Sequence, residues 1–314
     1  MSGTSDTSDT SSMSSLSVSV QVNRLSHDGH IRGYWLTEPP PEHPRPAPLI
    51  LCLHGAGGTG EWAMRETGLS ELGQREGFFV AYPDALPPRL DRPAKFLTNP
   101  QQWNDGAGHG VLGTPSADDV GFLRAVLADL LDRYPIDRQR LYLTGFSNGA
   151  AMSFRLAVES PGVFAALAPV AGHCWLAEPR VVPAIPTLYL IGTADPIIPW
   201  GGGLVRLPWG GPARHRPPIA QTIARWSRAI GASPTPTPPI HGDGVQIDWH
   251  PAQPFGAPLT VCRIAGLGHH WPGGAGILGQ RYGGPTTSPI RASEVIWAFF
   301  RHPTAEPPAW PTGF

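Results

Sequence analysis

The pentapeptide Gly145-Phe146-Ser147-Asn148-Gly149 constrains the fold of this chain more than any other stretch. It follows a short apolar run at 140–144 and precedes a helix-forming run at 149–159. A serine flanked in this way is typical of a sharp strand-turn-helix, in which a side chain at either glycine would strike a neighbouring element. Gly and Ser are common residues, so the pattern also fits an ordinary loop. Ser147 therefore needs partners elsewhere in the chain before it indicates a reaction.

Strands and helices are predicted to alternate along the chain. Alternating or unbroken apolar runs predict strands at 17–23, 30–37, 49–53, 78–82, 140–144, 163–170, 186–191, 245–250 and 258–264. Helical patterns lie at 61–76, 116–134, 149–159, 219–230 and 292–300. The alternation predicts an α/β fold, an α/β-hydrolase type of mainly parallel central sheet covered by helices on both faces. Ligands bind such sheets at the carboxyl ends of the strands.

Length and composition favour one catalytic domain. The 314 residues, 41% of them hydrophobic, can bury one sizeable core, which we expect at 16–303. The Ser/Thr-rich segment 1–15 is expected to be a disordered tail, and the Pro-rich segment 304–314 a second tail. A net charge of -1 provides no basic surface for nucleic acid or anionic lipid.

Targeting and cysteine signals are weak. No apolar run reaches the roughly 18 residues of a membrane span, and the N-terminus lacks the basic and apolar regions of an export signal. The chain as written therefore favours the cytoplasm over export, and the sequence does not determine the compartment. Cys52, Cys174 and Cys262 lack metal-ligand spacing and cannot all pair, which leaves room for one disulfide at most.

A glycine-rich turn, His54-Gly55-Ala56-Gly57-Gly58, follows the predicted strand at 49–53. Such a turn could cradle a phosphate, but neither a G-x-G-x-x-G nor a P-loop pattern is present. The other use of a turn with small side chains is to direct a backbone N–H at a developing oxyanion. We expect the N–H of Ala56 to do so, and His54 to be a structural residue of the turn.

Two acidic residues precede the predicted helix at 116–134, after a long loop. The loop, 87–115, contains Trp103-Asn104-Asp105-Gly106, and loops of this length are often functional. Asp118 and Asp119 could form a carboxylate pair for chemistry. Acidic residues in a first helical turn usually serve the helix dipole, so capping is favoured.

Ser147, Asp195 and His269 each lie just after a predicted strand, in the chain order Ser, Asp, His. A serine hydroxyl becomes a nucleophile when a neutral imidazole accepts its proton, and a carboxylate fixes the imidazole tautomer. The N–H groups of Asn148 and Ala56 would complete an oxyanion hole. His270 could be the base instead, or the histidine pair half of a metal site. The metal interpretation is weak because no further ligands lie at suitable spacing, and no cofactor is predicted.

Six motifs in order carry a family resemblance: LHGAGG at 53–58, WNDG at 103–106, DDVGFL at 118–123, GFSNGA at 145–150, GTADPIIPWGGG at 192–203 and GLGHHWPGG at 266–274. Together they resemble the polyhydroxybutyrate depolymerase and feruloyl esterase group of α/β-hydrolases, from about 17 to 302. The resemblance implies that His269 is the base, Asp195 its partner and His270 a variable position. The chain departs from the group at Leu267, where a glycine is usual, and at Trp200, where tyrosine is frequent.

The resemblance implies a metal-independent serine esterase. Trp103, Trp200 and Trp271 fall near positions that line the substrate cleft, although each could equally be a packing residue. Expected substrates are hydroxyalkanoate oligoesters or polyesters, or feruloyl and aryl esters. The same triad would also serve an acyltransferase or a peptidase. A non-catalytic binding protein of this fold is a further alternative, but such proteins typically lack a triad member.

Overall fold

The computed structural model describes residues 18–108, 117–207 and 212–306. The strands are β1 (Val20–His27), β2 (His30–Thr37), β3 (Ala47–Leu53), β4 (Phe79–Pro83), β5 (Ile136–Phe146), β6 (Ala166–Val170), β7 (Thr187–Gly192), β8 (Gly203–Val205), β9 (Arg214–Arg216), β10 (Ile240–Gly242), β11 (Val245–His250) and β12 (Leu259–Ile264). The helices are α1 (Gly60–Thr67), α2 (Leu69–Glu76), α3 (Asp119–Arg133), α4 (Asn148–Glu159), α5 (Ile219–Ile230), α6 (Gln280–Gly283) and α7 (Ala292–Arg301). The tail predicted at 1–15 and most of the one at 304–314 lie outside the described residues.

Ten of these strands form one sheet in the order β1-β2-β4-β3-β5-β6-β7-β12-β11-β10. The six central strands, from β4 to β12, are parallel, and antiparallel strands flank them at both edges. Every residue of β3, β4, β6 and β7 is buried, as expected for strands covered on both faces. The predicted α/β fold class is confirmed.

The sheet order brings four loops to one edge. β3 lies beside β5 with Leu53 opposite Gly145, and β12 lies beside β7 with Ile264 opposite Gly192. β6 fills the space between β5 and β7. Because parallel strands end at the same edge, the loops that follow β3, β5, β7 and β12 are close together.

Several boundaries differ from the sequence predictions. The single helix predicted at 61–76 is two helices, because Gly68 adopts a left-handed conformation with φ 66° and ends α1. The strand predicted at 163–170 begins only at Ala166, since Val163 belongs to a turn in which its N–H donates to Ser160. The antiparallel pair β8 and β9 was not predicted.

Cys52, Cys174 and Cys262 are all buried and free, so the one disulfide left open by the sequence does not form. Within the described residues, no helix has the length and apolar character needed to cross a bilayer.

Candidate active site

Ser147 lies on a strained turn between β5 and α4. Its φ of 56° and ψ of -114° are rare for a residue with a side chain. A Cβ at Gly145 would approach the Gly149 carbonyl oxygen to 2.5 Å, and a Cβ at Gly149 would approach the Leu53 oxygen to 2.2 Å. Both glycines are therefore required sterically, as the sequence pattern indicates, and the turn holds the serine at the edge of the sheet.

Ser147, His269 and Asp195 form a continuous hydrogen-bonded chain. The Nε2 atom of His269 is 2.8 Å from Ser147 Oγ, and its Nδ1 is 2.7 Å from Asp195 Oδ2. The other carboxylate oxygen accepts the N–H groups of Ile197 and Ile198 at 2.8 and 2.7 Å. Because a carboxylate only accepts, Nδ1 carries the proton and Nε2 is left to accept from the serine hydroxyl. The arrangement can generate a nucleophile at Ser147.

The other two histidines of these motifs have structural contacts. His270 Nε2 lies 3.0 Å from the Gly284 carbonyl, and burial lowers the pKa of the ring. His54 donates from Nδ1 to the Gly55 carbonyl and accepts the N–H of Ala85 at Nε2. Burial lowers the pKa of His54 to about 4, so the ring is neutral near pH 7. The structural role expected of His54 agrees with these contacts.

The backbone N–H groups of Ala56 and Asn148 remain the predicted oxyanion donors. Both residues line the same cavity as Ser147. The turn carrying Ala56 is fixed by hydrogen bonds from the N–H of Gly58 to Gly55 and from that of Gly57 to Gln101. Both N–H groups are without an acceptor in the described structure, and their part in an oxyanion hole stays a prediction.

The Asn148 side chain clamps the loop that carries WNDG. Its Oδ1 accepts the Trp103 N–H at 2.7 Å, while Nδ2 donates to the Trp103 carbonyl and to Asp105 Oδ2. The indole N–H of Trp103 donates to the His54 carbonyl at 2.9 Å. Three motifs that are distant in sequence are therefore held together around the serine.

A buried ion pair between Arg32 and Asp119 supports the loop that carries WNDG. Arg32 Nη2 is 2.7 Å from Asp119 Oδ1, and both side chains are at most 2% exposed. The second carboxylate oxygen of Asp119 accepts the Asn104 N–H at 2.6 Å. Asp118 is the cap of α3, because it accepts the Gly121 N–H at 2.8 Å. The capping prediction is confirmed for Asp118. Asp119 lies in the first turn of α3, as expected, and also pairs with Arg32, which the sequence analysis did not indicate.

The serine opens into a cavity of about 620 Å³, which is within the usual range of small-molecule sites. Trp103 lines this cavity, as predicted. Trp200 instead lies against Arg263, whose guanidinium carbon is 4.9 Å from the centre of the tryptophan ring. Trp271 is 2% exposed and donates to Ser293 Oγ. Neither of these two tryptophans is among the residues that line this cavity, and both pack against the core, as in the alternative interpretation. Their substrate-binding role stays a prediction.

Sequence reasoning missed several cavity residues. His173 and Trp175 follow β6, and Arg214 and Arg216 belong to the hairpin β8–β9. A three-residue strand has too few positions to show a periodicity, so the hairpin carried no signal.

Among the described residues, no group of three or more His, Cys, Asp or Glu side chains could hold a metal ion.

A loop beyond His269 depends on one buried carboxylate. Glu66, on α1, is 2% exposed and accepts the N–H groups of Gly276 and Ile277 at 3.1 and 2.8 Å. Ile277 lines the cavity. Glu66 therefore links α1 to the cavity wall, a role the helical pattern at 61–76 did not indicate.

Comparisons with known proteins identify a family for this chain. The family model for esterase PHB depolymerases matches residues 33–198. NocK of Nocardia uniformis subsp. tsuyamanensis, which is assigned as an esterase, is 31% identical over 262 residues, covering 78% of this chain and 72% of that protein. Feruloyl esterase B of Piromyces equi is 25% identical over 233 residues, covering 71% of this chain but 39% of that longer protein.

A solved structure shows the fold independently. The acetyl xylan esterase from Aspergillus awamori superposes with a TM-score of 0.55 at 14% identity, covering 80% of this chain and 94% of that one. At this identity the likeness shows the fold alone. The chain belongs to the esterase PHB depolymerase family of carboxylic ester hydrolases and has the α/β-hydrolase fold.

Proposed function

We propose that this protein hydrolyses carboxylic esters through a covalent acyl-enzyme on Ser147. Its hydroxyl attacks the ester carbonyl while His269 Nε2 accepts the proton, and the Ala56 and Asn148 N–H groups stabilise the oxyanion. His269 then protonates the leaving alcohol. In the second half of the cycle the same imidazole activates water, which releases the acid and restores the serine. Asp195 holds the imidazole in the required tautomer.

One observation carries this proposal: the hydrogen-bonded chain from Asp195 through His269 to Ser147, with distances of 2.7 and 2.8 Å. It lies at the carboxyl edge of the sheet, where the cavity opens. The substrates we propose are hydroxyalkanoate oligoesters, with feruloyl and other aryl esters as the second class. The family description supports the first class, and a relative's name the second.

Fluorophosphonate labelling tests the nucleophile. Treatment of the folded protein is expected to modify Ser147, identified by peptide mass spectrometry, because the reagent traps serines activated by a neighbouring base. Ser147→Ala should take up no label and should lose p-nitrophenyl butyrate hydrolysis. A folded wild-type protein that leaves Ser147 unmodified contradicts the mechanism.

A matched histidine pair tests the base. His269→Gln is expected to lower kcat by about 10³-fold or more, because no group then accepts the serine proton. His270→Gln keeps an amide that can donate to the Gly284 carbonyl, so its loss should be far smaller. The reverse pattern would assign the base to His270.

Product analysis tests the acceptor. The substrates are acetyl, butyryl and feruloyl esters and a hydroxybutyrate oligomer, each hydrolysed in the presence of methanol. Free acid is expected as the main product. A majority of methyl ester at low methanol concentration would favour acyl transfer, since water and alcohol compete for one acyl-enzyme.

A further inference from the structure

Two arginines face the cavity from the hairpin β8–β9. Arg214 and Arg216 alternate along β9, which places their side chains on the same face, and both line the cavity that contains Ser147. Both are half-buried. Within residues 18–108, 117–207 and 212–306, neither guanidinium forms an ion pair with a carboxylate. The cavity therefore has two positive charges on one wall.

The environment of Arg216 opposes its charge. Burial lowers its pKa, and the adjacent Arg214 lowers it further, while Asp105 and Asp195 act in the opposite direction. Its Nε is buried without a hydrogen-bond partner in the described structure, and its guanidinium lies 5.7 Å from the Trp175 ring centre. A half-buried cation with an unused donor costs free energy, which an anionic ligand would offset.

His173 offers a second unused donor on the same cavity. It is 1% exposed, and burial lowers its pKa to about 4, so the ring is neutral. Its Nδ1 lies 3.2 Å from Thr222 Oγ1, which also accepts the Cys174 N–H. The Thr222 hydroxyl proton has no other acceptor among the described residues, so it is donated to Nδ1 and the ring proton resides on Nε2. Nε2 is buried and lacks a partner in the described structure.

The fold places the segment that carries His173 next to the reactive serine. His173 follows β6, the strand between β5 and β7, and a Cβ on the preceding Gly172 would lie 2.3 Å from the Ser147 carbonyl oxygen. The donors are thus part of the cavity in which the ester must bind. A guanidinium pair with a neutral N–H donor matches a carboxylate, which accepts several hydrogen bonds and carries one negative charge.

We propose that Arg214, Arg216 and His173 form a carboxylate subsite, and that the preferred substrates are esters that carry a free carboxylate away from the scissile bond. This inference rests on the esterase function proposed above and narrows its substrate class. A hydroxyalkanoate oligoester with a free acid end has this chemistry. A neutral ester of the same size would leave the two arginines without a counter-ion.

Matched substrates test the subsite. The 3-hydroxybutyrate dimer as the free acid and its terminal carboxamide differ in charge but not in size. We expect kcat/KM to be about 10- to 100-fold higher for the acid, mainly through KM, because hydrogen bonds to charged groups are stronger than those to neutral ones. A second pair, the p-nitrophenyl monoester of adipate and p-nitrophenyl hexanoate, places the carboxylate on the acyl side. Preference for the anion in either pair supports the subsite and shows which side of the ester it holds.

Variants connect the preference to the arginines. In Arg214→Gln/Arg216→Gln the acid-to-amide ratio should fall towards one, while Arg216→Lys should keep part of it. Arg228→Gln removes an exposed charge on α5 and should keep the wild-type ratio. A wild-type ratio near one in both pairs, or a ratio unchanged in the double variant, overturns the proposal. Hydrolysis of p-nitrophenyl hexanoate reports separately on the esterase function, so failure of the subsite and failure of the triad are distinguishable.

Discussion

The two walls of the active-site cavity treat their charged side chains differently. One wall, here called the elbow wall, contains the turn that carries Ser147 and is formed by residues 54–58, 102–105 and 145–149. It is supported by Arg32, whose charge is paired with Asp119 at 2.7 Å. The hairpin wall, formed by β8–β9 and His173, has Arg214 and Arg216 without an ion pair among the described residues. The charge of the first arginine thus has a counter-ion within the fold. The second pair lacks a counter-ion within the described chain, which is the property expected of groups that meet a ligand.

The largest effect is expected from Asp195→Asn. An amide at this position can donate to His269 Nδ1, which would move the ring proton to Nε2 and block acceptance from Ser147. We expect kcat for p-nitrophenyl butyrate to fall about 10⁴-fold with little change in thermal stability. Asp118→Asn, in which the α3 cap keeps an acceptor for the Gly121 N–H, is the matched control and should retain activity. An Asp195→Asn enzyme of near-normal kcat would break the proposed mechanism.

The next effect compares the walls directly. Arg32→Met leaves the Asp119 carboxylate buried without its cation, so the free energy of unfolding should fall by about 3–5 kcal/mol in urea titration. Arg214→Met removes a charge that has no ion-pair partner in the described structure, and should cost less than about 1 kcal/mol. Equal losses for the two variants would remove the distinction between a folding arginine and a ligand-binding one.

Acid should destabilise both walls through buried histidines. The pKa values of His54 and His173 are each lowered from 6.5 to about 4 by burial. The unfolded chain therefore binds protons first, and their contribution to stability is complete above pH 6.5 and lost as pH falls towards 4. Each group should account for roughly 3 kcal/mol over this window.

The slope of unfolding free energy against pH measures this effect. His54→Asn should reduce the slope between pH 6.5 and 4 by an amount that corresponds to at most one bound proton. This holds whatever the effect of the substitution on stability at pH 7. His241→Asn makes the same change at an exposed histidine and serves as the control for the substitution itself. An unchanged slope in His54→Asn would show that folding does not lower the pKa of this ring.

The smallest effect is expected from Asn148→Ala. The substitution removes three hydrogen bonds that hold Trp103 and Asp105 against the turn that carries Ser147. It leaves the backbone N–H of residue 148 in place. A loss of about 1–2 kcal/mol corresponds to roughly a tenfold fall in kcat/KM. Gln101→Ala, on the same loop, makes a suitable control because the Gln101 contact in this region is through its backbone carbonyl. A larger loss in the control would place the loop's anchor elsewhere.

Much of the fold and the reactive chain could be predicted from the sequence. Ser147, Asp195 and His269 each follow a strand with a strong apolar pattern, and parallel strands must bring such loops to one edge. The roles assigned to them remain predictions until the variants above are measured. The predictions failed where the pattern was continuous across a break, as at Gly68, whose left-handed φ of 66° divides the helix expected at 61–76.

The sequence by itself determined the elbow and the order of its partners, because the glycines beside Ser147 are required by local sterics and strand periodicity is a local property. Only the tertiary structure decided which polar groups are paired. Arg32 meets Asp119 across 87 positions in the chain, whereas Trp200 and Trp271 turn out to pack away from the cavity. Burial and pairing depend on contacts between distant segments, so no local pattern could show that Arg214 and Arg216 face the reactive serine's cavity without a counter-ion in the described structure.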